Sequence, residues 1–140
     1  MKYKIYYTSS RNVAETIAYT IGDVIGSAPE RLNPAYMPDN VDLMFLGCDG
    51  SHPDEVILNF ISALKPSRVK FAALFNTNSK LTLKGIERMR SLLQERGIQV
   101  LPDPLVCVSR PFQKDLEGFD RAAVLDFANE SVRNLRRLDK

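Results

Sequence analysis

Apolar side chains in this chain switch repeatedly between two spacings, and each switch marks the start of a new element. Residues 2–8 are rich in aromatic and β-branched side chains, with Tyr3, Ile5, Tyr6 and Tyr7, and predict a strand. From Asn12 the spacing becomes helical, with Val13, Ala14, Ile17, Ala18, Ile21, Val24 and Ile25 on one face. Asn12 followed by Glu15 has the spacing of a capping box, and Gly26 is placed to end the helix. Pro29, Pro34 and Pro38 leave room for only a short edge strand, around residues 30–32. Residues 41–47 are almost continuously apolar, as in a strand covered on both faces. Pro53 suits the first position of a helix that buries Val56, Ile57, Phe60, Ile61 and Leu64 and is stopped by Pro66. Residues 69–75 predict a further buried strand, followed by a polar loop of Asn76, Thr77, Asn78 and Ser79. A helix over residues 82–96 turns Ile86, Met89, Leu92 and Leu93 inward and is capped by Gly97. Two strand pieces follow, 98–101 and 105–108, interrupted by Pro102 and Pro104. A last helix from about Phe119 carries Leu125, Ala128, Val132 and Leu135 at three- and four-residue steps.

The order β-α-β-β-α-β-α-β-α predicts one α/β domain over residues 1–140, with a parallel sheet covered by helices on both faces. In such sheets ligands bind beyond the carboxyl ends of the strands, at the switch in strand order. That places the candidate chemistry in three loops, residues 8–12, 47–52 and 76–79. The first is the most specific. A strand feeding directly into a helix aims unpaired backbone N–H groups at the loop, with the positive end of the helix dipole behind them, which suits an anion.

Composition narrows the function classes. With 44% hydrophobic and 26% charged residues the chain is that of an ordinary globular domain. There is no apolar run of membrane-spanning length and no leader pattern at the start, so no membrane association is expected. Cys48 and Cys107 make no disulfide framework, and a reduced, cytoplasmic setting is the expectation. A net charge of +2, with basic residues scattered apart from Arg133, Arg136 and Arg137, argues against nucleic acid as a partner. No acidic pair follows the first strand, as a phosphoacceptor receiver would need. Cys48 is followed by Asp54 where a phosphatase loop would need arginine. The glycine-rich dinucleotide fingerprint and the Walker lysine are missing, and one histidine with two distant cysteines makes no metal site or hydrolytic triad.

Four segments carry a family likeness: Tyr7-Thr8-Ser9-Ser10-Arg11-Asn12 after the first strand, and Leu46-Gly47 leading to Pro53-Asp54-Glu55 after the third. Phe75-Asn76-Thr77 follows the fourth, and Leu105-Val106-Cys107 the fifth. With these, the chain resembles the flavodoxin family over nearly its whole length, and the short single-domain flavodoxin-like proteins most of all. The resemblance implies a doubly wound five-stranded parallel sheet in the order 2-1-3-4-5, an FMN cofactor, and an electron-transfer carrier serving redox partner proteins rather than an enzyme. It assigns Thr8, Ser9, Ser10, Arg11, Asn12 and Val13 to the phosphate, Gly47, Cys48, Asp49 and Gly50 to the flavin ring, and Asn76, Thr77 and Asn78 to its pyrimidine edge.

Each loop also departs from the family. The usual glycine of the phosphate loop is Arg11 and its last threonine is Val13. Arg11 either crowds the backbone approach that glycine permits or supplies a charged, forked donor. The second loop looks short and lacks the bulky stacking aromatic; the chain has no Trp, and His52 reads as an exposed loop residue. Asp49-Gly50 suits the peptide flip by which flavodoxins hydrogen-bond the reduced flavin, although Asp-Gly is a common turn. The third loop lacks aromatic and acidic residues, and Phe112 either covers a ring from another side or packs as core. Flavodoxins are strongly acidic, whereas this chain is slightly basic, so their usual docking by charge is not implied. The alternative is the same fold without flavin, binding another small anion or a protein partner.

Overall fold

Ten elements follow the alternation of apolar spacings. They are β1 (Tyr3–Tyr7), α1 (Val13–Ile25), β2 (Glu30–Arg31), β3 (Val41–Asp49), α2 (Glu55–Ala63), β4 (Val69–Asn78), α3 (Lys84–Glu95), β5 (Gln99–Val100), β6 (Leu105–Val108) and α4 (Arg121–Leu138). The structure is a computed structural model that describes residues 1–8, 13–33, 35–50, 52–78, 82–108 and 121–138. The expected helix cap at Asn12, the loop residues Ser9, Ser10, Arg11, Ser51 and Ser79, and the aromatics Phe112 and Phe119 lie outside the described residues.

All strands pair in parallel, in the order β2-β1-β3-β4 and then β5 and β6, which both pair with β4. β5 lies beside Phe71 and Ala72, and β6 beside residues 75–78, so the two pieces share the fifth position in the sheet. Pro102 and Pro104 fall between them, where the ladder breaks, because proline offers no N–H to it. The sheet is thus the doubly wound one expected, in the order 2-1-3-4-5.

The two-residue period of the strands sorts the core into two layers. Ile5, Leu43, Phe45, Ala73 and Phe75 face α1 and α4, meeting Ile17, Ile21, Phe127 and Leu135. Met44, Leu46, Cys48, Ala72 and Leu74 face α2 and α3, meeting Ile57, Phe60, Ile86 and Met89. Phe45 and Phe127 meet edge to face, with ring centroids 5.7 Å apart. Gly26 closes α1, its N–H donating to the Gly22 carbonyl (2.9 Å), and Gly97 follows α3 with its N–H on the Gln94 carbonyl (2.9 Å).

Several boundaries differ from the sequence-based expectation. Pro53 precedes the cap of α2 and does not open the helix: Asp54 is the N-cap, its Oδ1 accepting from the Ile57 N–H at 3.0 Å. Val56, expected inside, is 37% exposed, because Ile57, Phe60, Ile61 and Leu64 form the stripe and Val56 lies one step off it. The buried stripe of α4 is Val124, Phe127, Ala128, Ser131 and Leu135, with Leu125 and Val132 only half-buried. The largest difference concerns the ends of β3 and β4. Cys48 and Asp49 belong to β3, and Asn76, Thr77 and Asn78 continue β4 where a loop was expected. The ladders extend that far because β4 is paired on both sides, Asp49 with Thr77 and Asn78 with Val108.

Candidate functional site

The registers bring the carboxyl ends of β1, β3, β4 and β6 to one rim, with Tyr7 beside Gly47, Asp49 beside Thr77 and Asn78 beside Val108. Two backbone hydrogen bonds tie the rim together beyond the strands. The Thr8 N–H donates to the Gly47 carbonyl (3.1 Å), and the Gly50 N–H to the Thr77 carbonyl (2.6 Å). The chain's change of direction, from β2 on one side of β1 to β3 on the other, falls at the first of these seams.

On the β1 side, Thr8 is nearly buried and Val13, the first residue of α1, is fully so. The thirteen-residue helix starts five residues after Thr8, and Glu15 lies in its first turn. Glu15 is paired with Arg31 of β2 at 3.5 Å, and the Arg31 guanidinium lies 5.6 Å from the centre of the Tyr7 ring. Burial raises the Tyr7 hydroxyl pKa above its usual value, the Glu15 carboxylate and Tyr19 add to this, and Arg31 opposes it. Nothing in the sequence marks Arg31, since an edge strand of two residues carries no signal of what its side chains touch. The positions from 8 to 13 hold three hydroxyls, an amide and a guanidinium, with no carboxylate. That donor set fits a phosphate group.

On the β3–β4 side the polar groups turn toward one another. Asn76 is fully buried, and its Nδ2 donates to the Cys48 carbonyl (3.0 Å) and the Gly50 carbonyl (2.8 Å), and approaches the Cys48 sulfur at 3.4 Å. Its Oδ1 is buried with no partner. The Thr77 hydroxyl donates to Asp49 Oδ1. Gly50 has a φ of +84°, the left-handed region that favours glycine, so the turn can leave β3 at this point. With its N–H on Thr77 and its carbonyl on Asn76, Gly50 has both backbone groups engaged. A flip of either adjoining peptide would break one of these bonds.

Two further residues shape this side, and neither was assigned to the site from sequence. Gly85, in the first turn of α3, lies where a Cβ would stand 2.9 Å from the Gly50 carbonyl and 3.1 Å from Asn76 Nδ2. Its sequence signal was a glycine inside a helical stretch, which often marks a close approach. Phe75 fills the space over Gly47, its ring 2.1 Å from where a Cβ would be. Gly47 is thereby committed to core packing. Cys48 is buried against Met89, its sulfur 4.0 Å from the Met89 sulfur. Burial pushes its thiol pKa up to about 12, with Asp49 and Asp54 adding to the rise against the Asn76 hydrogen bond. It is an inert thiol. His52 is exposed, Asn78 is nearly buried at the end of β4, and Leu83 and Val108 are exposed apolar residues near the same end of the sheet.

Two grooves, of about 320 Å³ and about 400 Å³, open at the other end of the sheet, one beside Tyr3, Ile25 and Arg136 and one beside Asp42 and Lys70. Among the described residues no group of three His, Cys, Asp or Glu side chains could hold a metal ion. No described helix is long and apolar enough to cross a membrane.

No protein-family model matches the chain, and no curated protein matches it significantly. Solved structures do. A flavodoxin from the domain Archaea superposes with a TM-score of 0.71 at 13% identity, over 97% of this chain and 99% of that one. Oxidised flavodoxin 2 from Bacillus cereus gives 0.70 at 15% identity, over 96% and 99%. The rubredoxin:oxygen oxidoreductase of Desulfovibrio gigas gives 0.69 at 12% identity over 97% of this chain, which spans 36% of that longer protein. At these identities the likeness is one of fold, and the fold is flavodoxin-like.

Proposed function

We propose that this chain binds FMN across the carboxyl ends of β1, β3 and β4, held chiefly by its phosphate, and passes electrons between partner proteins. The observation that carries the reading is the strand-to-helix junction of residues 8–13. Its two described ends, Thr8 after β1 and Val13 at the start of α1, stand at the switch point of a sheet that superposes on solved flavodoxins over almost their whole length. Thr8, the segment from Ser9 to Asn12 and the first turn of α1 would hold the phosphate. The rim at Asp49 and Gly50, with His52 and Asn78, would border the ring. Bound FMN would supply reversible electron uptake, which no side chain of this protein offers by itself. The protein's own part is to bind, orient and exclude water. Partners would dock over the turn that follows β3 and the end of β4, where exposed Leu83 and Val108 add apolar surface.

A second reading, a phosphate-bearing ligand held without redox chemistry, is favoured by one observation. Polar groups on the β3–β4 side are largely spent on one another: the Asn76 NH2 is on the Cys48 and Gly50 carbonyls, and the Gly50 N–H is on the Thr77 carbonyl. Titrating purified protein into FMN while following flavin fluorescence and absorbance separates the two. The carrier reading predicts quenching and a spectral shift at micromolar concentrations. An unchanged spectrum there, together with protection by other phosphate esters against thermal unfolding, would favour the second.

A further inference from the structure

We infer that Asn76 is a positioning residue that locks the turn after β3 into a fixed lip of the binding site. This rests on the function proposed above. The resemblance treats Asn76 as a ligand for the flavin edge, but its amide is fully buried and turned inward. One NH2 group holds the carbonyls of Cys48 and Gly50, on either side of Asp49 where the chain leaves β3. The opposite orientation of the amide would set its oxygen against two carbonyl oxygens, so the hydrogen bonds themselves fix which way it points. Three other contacts converge on the same turn. The Gly50 N–H is on the Thr77 carbonyl, the Thr77 hydroxyl is on Asp49, and Gly85 brings the first turn of α3 against the Gly50 carbonyl.

This arrangement includes a cost that the fold retains. Asn76 Oδ1 is buried without a partner, and an apolar side chain of similar size would avoid that penalty. A side chain that serves only to fill the core does not need the amide; a side chain that clamps two carbonyls does. A turn held in this way is ordered before any ligand arrives, so binding does not have to order it. The clamp therefore acts on affinity through Gly50, without Asn76 touching the ligand.

The test uses Asn76→Ala, which removes both clamp bonds, and Gly85→Ala, which keeps Asn76 but drives a methyl group toward the Gly50 carbonyl. Hydrogen exchange of the Gly50 amide is read without ligand, and FMN affinity and dissociation rate are read with it. The clamp predicts that Gly50 is protected in the wild type and loses protection in both variants at temperatures where β1 and β3 amides stay protected. It also predicts FMN binding weakened on the order of tenfold, mostly through faster dissociation. Unchanged protection of Gly50 in Asn76→Ala, or unchanged FMN affinity in a variant whose Gly50 has lost protection, would overturn it. If wild-type protein takes up no FMN, the proposed function fails, while the exchange measurement still decides on the clamp.

Discussion

Gly47 and Cys48 show how differently two residues of one candidate site behave. Gly47 lies beneath the Phe75 ring, so Gly47→Ala would force ring and backbone apart. The expected loss is about 1–3 kcal/mol of unfolding free energy, or more, read as a lower urea midpoint. Cys48 has a thiol that burial keeps protonated up to about 12, against 9.0 when free. A raised pKa means that the folded state keeps a proton the unfolded chain releases. This contribution to stability is therefore whole below about pH 9 and is lost as the pH rises toward 12. The Tyr6 hydroxyl, raised from 10.0 to about 12 chiefly by burial, acts in the same direction. Unfolding in urea at stepped alkaline pH should show falling stability from about pH 9, with a shallower fall in Cys48→Ala, and iodoacetamide should label Cys48 only on unfolding. Equal slopes would remove Cys48 from the account. For the phosphate loop, the double change Arg11→Gly, Val13→Thr restores the family pattern. Tighter FMN binding would identify the two departures as what weakened the site, and weaker binding would identify Arg11 as a ligand.

At the scale of elements, the caps and strand ends decide what reaches the site. Asp54 starts α2 by accepting the Ile57 N–H, so Asp54→Ala should cost about 1 kcal/mol, seen as a lower melting temperature with the fold unchanged. Nearly every element was legible in the sequence, because buried helices and strands repeat their apolar spacing over many residues. β2 was recognised through its flanking prolines, and the broken fifth strand through Pro102 and Pro104. The ends of β3 and β4 were not legible. Asn76-Thr77-Asn78 looks like a loop because polar runs are ordinarily solvated, and here the solvation is replaced by partners 26 to 28 residues away. The same limit hid the orientation of Asn76, the approach of Gly85 and the contact of Arg31 with Tyr7. Each is a tertiary contact with no periodic trace in the sequence.

Across the whole molecule, the fold brings two unlike half-sites to one rim. The β1–α1 half is the proposed phosphate site, its donor set carried by residues 8–13; in the β3–β4 half the Asn76 NH2 group and the Gly50 N–H are spent on neighbouring carbonyls. On the proposed function, this difference concentrates recognition at the phosphate. The direct measurement is the affinity of the protein for FMN compared with riboflavin, which has the same ring and no phosphate, by fluorescence titration in one buffer. Recognition led by the phosphate predicts micromolar or tighter FMN binding and riboflavin binding weaker by at least about tenfold, a difference of about 1.4 kcal/mol. Equal affinity for the two, or no binding of FMN, would contradict it.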